Sequence, residues 1–301
     1  MNMSRLNLQF FQIFFVIINF LSHKIRENRG GQMIKKNKII VIIVITILIF
    51  CFSLIKIKLE DVESISANTT NLSNKKIGWG IKRNDNHEQP DLGKENRRIL
   101  EENKGIAMGN SEKKYIYLTF DEGYEAGYTK QILQTLKEEN VKATFFITAH
   151  YLNTQSELVK QMIDEGHIVG NHTVNHKSMP DLKDEQIKSE IMDLHQAIYE
   201  KFKYEMKYIR PPMGEYSERT LALTNNLGYK TVMWSFAYQD WNEDNQPDES
   251  SSKKKILDNV HNGEIMLLHG NSKTNTNILG DVIKEIKNMG YEFKSLDEFE
   301  A

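Results

Sequence analysis

Beyond residue 114 the chain sets short apolar blocks between longer amphipathic stretches. The blocks fall at 115–120, 143–148, 168–171, 208–210, 230–234 and 265–269, with a weaker one at 291–294. Apolar runs this short, bounded by polar residues, read as strands. Between them, apolar residues recur every three or four positions. The clearest case is 184–202, where Ile187, Ile191, Leu194, Ile198 and Phe202 share one side of a helix. The stretches 128–139, 156–165, 217–227 and 277–289 read the same way. Asn140, Gly166, Gly228 and Gly290 follow helices, where a left-handed residue ends the spiral. Strand and helix alternating about seven times predict an α/β fold with parallel strands. Closed on itself, such a sheet is a distorted (β/α) barrel, with its chemistry at the C-terminal ends of the strands.

Upstream the pattern changes. Ile77, Trp79 and Ile81 form an apolar island, and 95–102 reads as a short helix, so 77–113 is expected to be an ordered arm on a domain spanning 114–301. Residues 59–76 are polar and rich in Ser, Asn and Thr, as a stalk is. The run 39–55 carries no charge, follows Lys35, Lys36 and Lys38, and precedes Glu60, Asp61 and Glu63. That length suffices to span a bilayer, and the lysines place the N-terminus inside. One uncleaved transmembrane signal anchor within 33–58 is expected, with the rest of the chain outside the cell membrane. The patch 8–21 is broken by Gln9, Gln12 and Asn19 and predicts no span. Met33 followed by Ile34, Lys35 and Lys36 reads as an ordinary start, so residues 1–32 are expected to be an untranslated upstream extension.

Composition removes some options. A net charge of −2 over 301 residues gives no basic field for nucleic acid. The single Cys51 permits neither an intrachain disulfide nor a Cys-based zinc site. No obligate protein partner is indicated.

The candidate chemistry lies at strand ends. Asp121 and Glu122 close the first strand block. Adjacent residues on an extended chain point to opposite sides, so one carboxylate can face a metal and the other a reacting water. His172 and His176 follow the 168–171 block. Two histidines four apart are a weak signal alone, but one helical turn would bring both imidazoles to a single Zn²⁺ or similar ion. Arg210, before Pro211 and Pro212, reads either as part of a rigid loop or as a guanidinium that keeps a catalytic carboxylate ionised. His269 ends the most apolar strand. It is either a core histidine or a general acid whose partner is Asp240. Trp241 lies in a polar segment and suits the wall of a sugar-sized pocket.

These residues resemble, in order, the five motifs of the polysaccharide deacetylase superfamily, carbohydrate esterase family four. The motifs are Thr119-Phe120-Asp121-Glu122-Gly123, His172-Thr173-Val174-Asn175-His176, Arg210-Pro211-Pro212-Met213-Gly214, Asp240-Trp241 and Leu267-Leu268-His269. Further stretches, Trp79-Gly80-Ile81-Lys82-Arg83, Gly123-Tyr124-Glu125 and Trp234-Ser235-Phe236-Ala237-Tyr238, are similar to the delta-lactam-biosynthetic de-N-acetylases of spore-formers. The resemblance implies a metal-dependent enzyme acting on peptidoglycan glycan strands. Its substrate would be N-acetylmuramic acid on the way to muramic delta-lactam in spore cortex; N-acetylglucosamine is the alternative. A catalytically weak wall-binding module is a third reading. The resemblance also implies Asp121 as base, oriented by Arg210, and His269 as acid, tuned by Asp240. It implies His172, His176 and Glu122 as ligands of a divalent metal, zinc before cobalt, manganese or magnesium. Tyr124, Pro212, Tyr216 and Trp241 would contact substrate. The family has Asp where this chain has Glu122, and direct ligation by Glu122 is left open. Ala237 stands where the family commonly has the first Asp of the fourth motif.

Overall fold

The structure, a computed structural model, describes residues 71–301. The expected extension, anchor and most of the stalk lie outside the described residues. Among the described residues no helix is long and apolar enough to cross a membrane. In chain order the elements begin with β1 (Ile77–Gly78), α1 (Lys94–Glu102), β2 (Tyr115–Glu122), α2 (Thr129–Glu138) and β3 (Thr144–Ile147). There follow α3 (Ala149–Thr154), α4 (Ser156–Asp164), β4 (Ile168–Asn171), α5 (Asp184–Phe202), β5 (Tyr208–Ile209) and β6 (Glu215–Tyr216). The chain ends with α6 (Glu218–Asn226), β7 (Lys230–Thr231), α7 (Glu249–Asn259), β8 (Glu264–His269), α8 (Lys273–Asn288) and β9 (Glu292–Phe293).

The main sheet runs β7-β5-β4-β3-β2-β8, with β9 joined to the start of β2, and its pairings are parallel. Past β7 the chain turns to β8: Phe236 bridges Met266, and the Ser235 N–H donates to the Ile265 carbonyl at 3.0 Å. The sheet therefore curls into a parallel half-barrel with a bridged gap. Tyr117, Phe146, Ile168, Tyr208, Val232 and Ile265 meet in one buried cluster, which is the barrel interior. Helix α5 begins and ends where the periodicity places it, and buries Ile187, Ile191, Leu194 and Ile198.

Two helices escape the periodicity. Helix α7 is almost wholly polar and buries little beyond Ser252 and Ile256, so it offers no apolar stripe to read. Helix α3 spans only six residues. Strand β7 is shorter than the 230–234 block because the next residues pair with the arm: Val232 bridges Ile106.

The arm packs as an ordered layer. Strand β1 pairs antiparallel with β6 in a separate two-stranded sheet, and Ile99 and Leu100 of α1 share a buried cluster with Tyr216, Leu221 and Met233. Trp79 ties the arm to two loops. Its backbone N–H donates to the Gly214 carbonyl at 2.8 Å, and its indole N–H to the Trp234 carbonyl at 2.9 Å.

Candidate active site

Strands β2 and β8 lie side by side with Asp121 opposite His269. Asp121 accepts a 2.8 Å hydrogen bond from Arg210 Nη1. The guanidinium is fully buried, lies 4.3 Å from the Phe146 ring centroid, and donates from Nε to the Val232 carbonyl at 3.1 Å. A buried arginine with this little freedom holds the carboxylate in one orientation. Burial pushes the Asp121 carboxyl up, but Arg210, then His172 and His269, outweigh it and hold the group below the ordinary carboxylate range. Asp121 is thus ionised at neutral pH.

His269 donates from Nδ1 to Asp240 Oδ1 at 2.7 Å, and its backbone N–H reaches Asp240 Oδ2 at 3.0 Å. Asn275 Nδ2 donates to the same Oδ2 at 2.5 Å. Burial works against the charged ring, but Asp240 overrides it and raises the His269 pKa. An ionised carboxylate and a proton-bearing imidazole, each with its own buried partner, therefore stand on neighbouring strand ends.

His172 and His176 do come together, but not on a helical turn. The segment after β4 is a loop in which Thr173 and His176 take left-handed backbone, φ 68° and 53°. Polar side chains hold it: Asn171 Oδ1 accepts from the Thr173 N–H at 2.8 Å, and Thr173 Oγ1 from the His176 N–H at 3.1 Å. Such local bonds compete with helix. The His172 Nδ1–H donates to the Arg210 carbonyl at 2.8 Å, which leaves its Nε2 as a lone-pair donor, 3.1 Å from His176 Nε2 and 3.6 Å from Asp121 Oδ2. Burial pushes His172 down to about 4, against the pull of Asp121, and lowers His176 as well. Both rings are neutral at pH 7.

Asp121, His172, His176 and His269 line one cavity of about 470 Å³, together with Tyr124, Met213, Trp234, Tyr238, Trp241 and Asn271, while Arg210 and Asp240 are buried and bonded to Asp121 and His269. Tyr124, Met213 and Trp241 are exposed and surround it with apolar surface. Asn271 links two of them, donating to the Tyr124 hydroxyl and to the Trp241 carbonyl, each at 3.0 Å.

Three expected site residues stand elsewhere. Glu122 is only 1 % exposed and does not line the cavity. Successive strand residues face opposite sides, so with Asp121 turned inward Glu122 is turned toward α2, where Oε1 accepts from Thr129 Oγ1 at 3.4 Å. Pro212 is buried outside the cavity, and its neighbours Met213 and Gly214 line it instead. Tyr216 is fully buried in the arm cluster and donates its hydroxyl to Asn96 Oδ1 at 2.7 Å. Sequence reasoning missed Asn271, Asn275 and Phe146. The first two sit two and six residues after His269, one in the turn before α8 and one in its first turn, and that position was their only signal.

Comparison with known proteins settles the family. A polysaccharide deacetylase family model matches residues 108–232. The chain is 42 % identical over 226 residues to the peptidoglycan-N-acetylmuramic acid deacetylase PdaA of Bacillus subtilis, covering 75 % of this chain and 86 % of that protein. The chain belongs to the polysaccharide deacetylase family. The deacetylase also superposes on the solved structure of Bacillus subtilis PdaA, a family 4 carbohydrate esterase. The TM-score is 0.74 at 41 % identity, covering 76 % of this chain and 98 % of that one. A peptidoglycan-N-acetylglucosamine deacetylase of Bacillus cereus is 34 % identical over 191 residues, 62 % of this chain and 89 % of that protein.

Family 4 deacetylases are metalloenzymes. In this deacetylase, two neutral imidazoles with Nε2 atoms 3.1 Å apart, one with its lone pair fixed by the Arg210 carbonyl, fit two ligands of a divalent cation. Glu122 does not fit as the third. Among the described residues no set of three or more His, Cys, Asp or Glu side chains gathers into a ligand shell.

Proposed function

We propose that this deacetylase hydrolyses the N-acetyl group of peptidoglycan amino sugars, with N-acetylmuramic acid as its substrate and zinc as its metal. The observation that carries the reading is the pairing of Asp121–Arg210 with His269–Asp240 at the base of one aromatic-rimmed cavity. The muramic acid preference draws on the PdaA match. At 226 residues it is longer than the segment 114–301 and so takes in part of the arm. In the same proposal the reaction prepares muramic delta-lactam in spore cortex. The domain works outside the cell, tethered by a helix within 33–58, and support for that is the charge-free run 39–55 behind three lysines.

The chain's residues divide the work. A divalent ion on His172 and His176, when bound, supplies positive charge beside the acetyl carbonyl. Asp121, ionised and held by Arg210, takes a proton from the attacking water. His269 delivers a proton to the departing sugar nitrogen as the C–N bond breaks, and Asp240 stabilises the imidazolium until then. Acetate and a free amine are the products. Tyr124 and Trp241 offer flat apolar faces to the sugar rings beside the reacting one.

The test is acetate release, with mass analysis of the glycan, from peptidoglycan and from N-acetylglucosamine oligomers. Loss of acetyl from muramic acid residues is the expected outcome. Loss from glucosamine residues only would shift the reading to the alternative sugar. Binding without release would make the chain a wall-binding module.

A further inference from the structure

The buried carboxyl of Glu122 sits where a side chain on Gly270 would have to go. A Cβ built on Gly270 would lie 1.9 Å from Glu122 Oε1 and 2.3 Å from its Cδ. Gly270 is not among the residues with positive φ, so its backbone does not call for glycine. The carboxyl of Glu122 does. Gly270 directly follows His269, and its N–H donates to the Asp121 carbonyl at 3.3 Å. The same turn carries the Ser272 N–H to the His269 carbonyl at 3.3 Å, and Asn271 to the cavity rim. On its far side Glu122 rests on Thr129 Oγ1, at the start of α2. Glu122 thus fills the gap between α2 and the turn that presents His269.

We propose that Glu122 is a positioning residue: its side chain supports the turn 269–272 from behind and sets His269 relative to Asp121, and it is not a ligand of the metal. The proposal rests on the deacetylase reading of the site. The length of the side chain matters. An Asp at 122 is one methylene short of filling the gap between Gly270 and Thr129, and a displacement of roughly 1 Å at a catalytic group can cost about 10²-fold in rate. Gly270 and Glu122 are therefore coupled. A larger residue at 270 is excluded only while Glu122 is in place.

Four variants of the full chain test this: Glu122→Gln, Gly270→Ala, Glu122→Ala and the Glu122→Ala/Gly270→Ala pair. Each is assayed for kcat and KM of acetate release, for thermal midpoint, and for Zn²⁺ affinity by competition with a chromophoric chelator. Glu122→Gln keeps the shape and is expected to keep kcat within about threefold and Zn²⁺ affinity unchanged. Gly270→Ala is expected to lose about 10²-fold in kcat with KM little changed, and to lower the midpoint. Glu122→Ala is expected to lose about as much by removing the support, and the double variant to lose no more than either single change, which a merely additive pair of lesions does not do. A drop of about tenfold or more in Zn²⁺ affinity in Glu122→Gln overturns the proposal. So does a double variant whose losses are the sum of the two single losses. A wild type that releases no acetate sinks the functional reading instead, and the midpoints of the same proteins still support or overturn the contact itself.

Discussion

Asp121 and Glu122 are neighbours in sequence and opposites in setting. Asp121 faces the cavity, paired with a buried arginine and held below the ordinary carboxylate range. Glu122 faces the helices with no cation beside it among the described residues, and burial, then Glu125, push its carboxyl well above the ordinary range. One peptide unit of strand separates an ionised carboxylate from a group whose environment favours the neutral acid. The chemical type of a residue is thus a weaker guide to its role than the face of the strand on which it stands. Among the described residues one Glu122 oxygen has no hydrogen-bond partner, which is tolerable for an uncharged buried carboxyl and costly for an ionised one.

The largest expected effect comes from separating Asp121 from its cation. Arg210→Met leaves a buried carboxylate without its partner. The variant is expected to lose about 3–5 kcal/mol of stability, read from denaturant midpoints. No comparable loss is expected from Glu122→Gln. Equal losses in the two variants would show that the faces differ less than the geometry says.

A smaller effect is expected at His269, the proposed acid. Asp240 raises the His269 pKa, so Asp240→Asn lowers it. His269 then gives up its proton at lower pH, and the alkaline limb of kcat moves to lower pH. A pH–rate profile with an unmoved alkaline limb would remove His269 from the role of acid.

The smallest effect lies away from the site. Burial pushes His167 down to about 4, against an unfolded value near 6.5, and its Nδ1 accepts from the Ala143 N–H at 3.1 Å. Between those two values the unfolded chain binds the extra proton. The stability from this residue is therefore full above about pH 6.5 and is lost as pH falls toward 4, by up to about 3 kcal/mol. His167→Gln should flatten that acid slope in thermal-melt measurements while leaving the melt at pH 8 little changed.

Much of the fold was legible because its main helices and strands carry apolar periods. Helix α5 and strand β4 were readable to the residue, and the four helix-ending residues Asn140, Gly166, Gly228 and Gly290 do take left-handed backbone. Helix α7 was not legible, since the sheet takes so little from it. At the site, strand-end position brought Asp121, Arg210, Asp240 and His269 together on paper as they are in space. Glu122 was left open as a ligand for an instructive reason. Motif likeness put it with the histidines, while the twofold period of its own strand put it on the other side, and the backbone followed the period. Tyr216 and Pro212 were expected to contact substrate only through the family resemblance. The Tyr216 side chain is consumed by the packing of the arm, and Pro212 is buried outside the cavity. Asn271 and Asn275 carried no pattern at all. Their roles exist only once the turn after β8 is folded, with Asn271 on Tyr124 and Trp241 and Asn275 on Asp240.

The two faces of β2 are tested most directly by measuring kcat for acetate release from peptidoglycan in Asp121→Asn and Glu122→Gln side by side. Each change removes the possibility of a negative charge and keeps the shape. A loss of about 10²–10⁴-fold in Asp121→Asn beside a near-wild-type Glu122→Gln is the predicted result. Full activity in Asp121→Asn, or an equal loss in both, would contradict it.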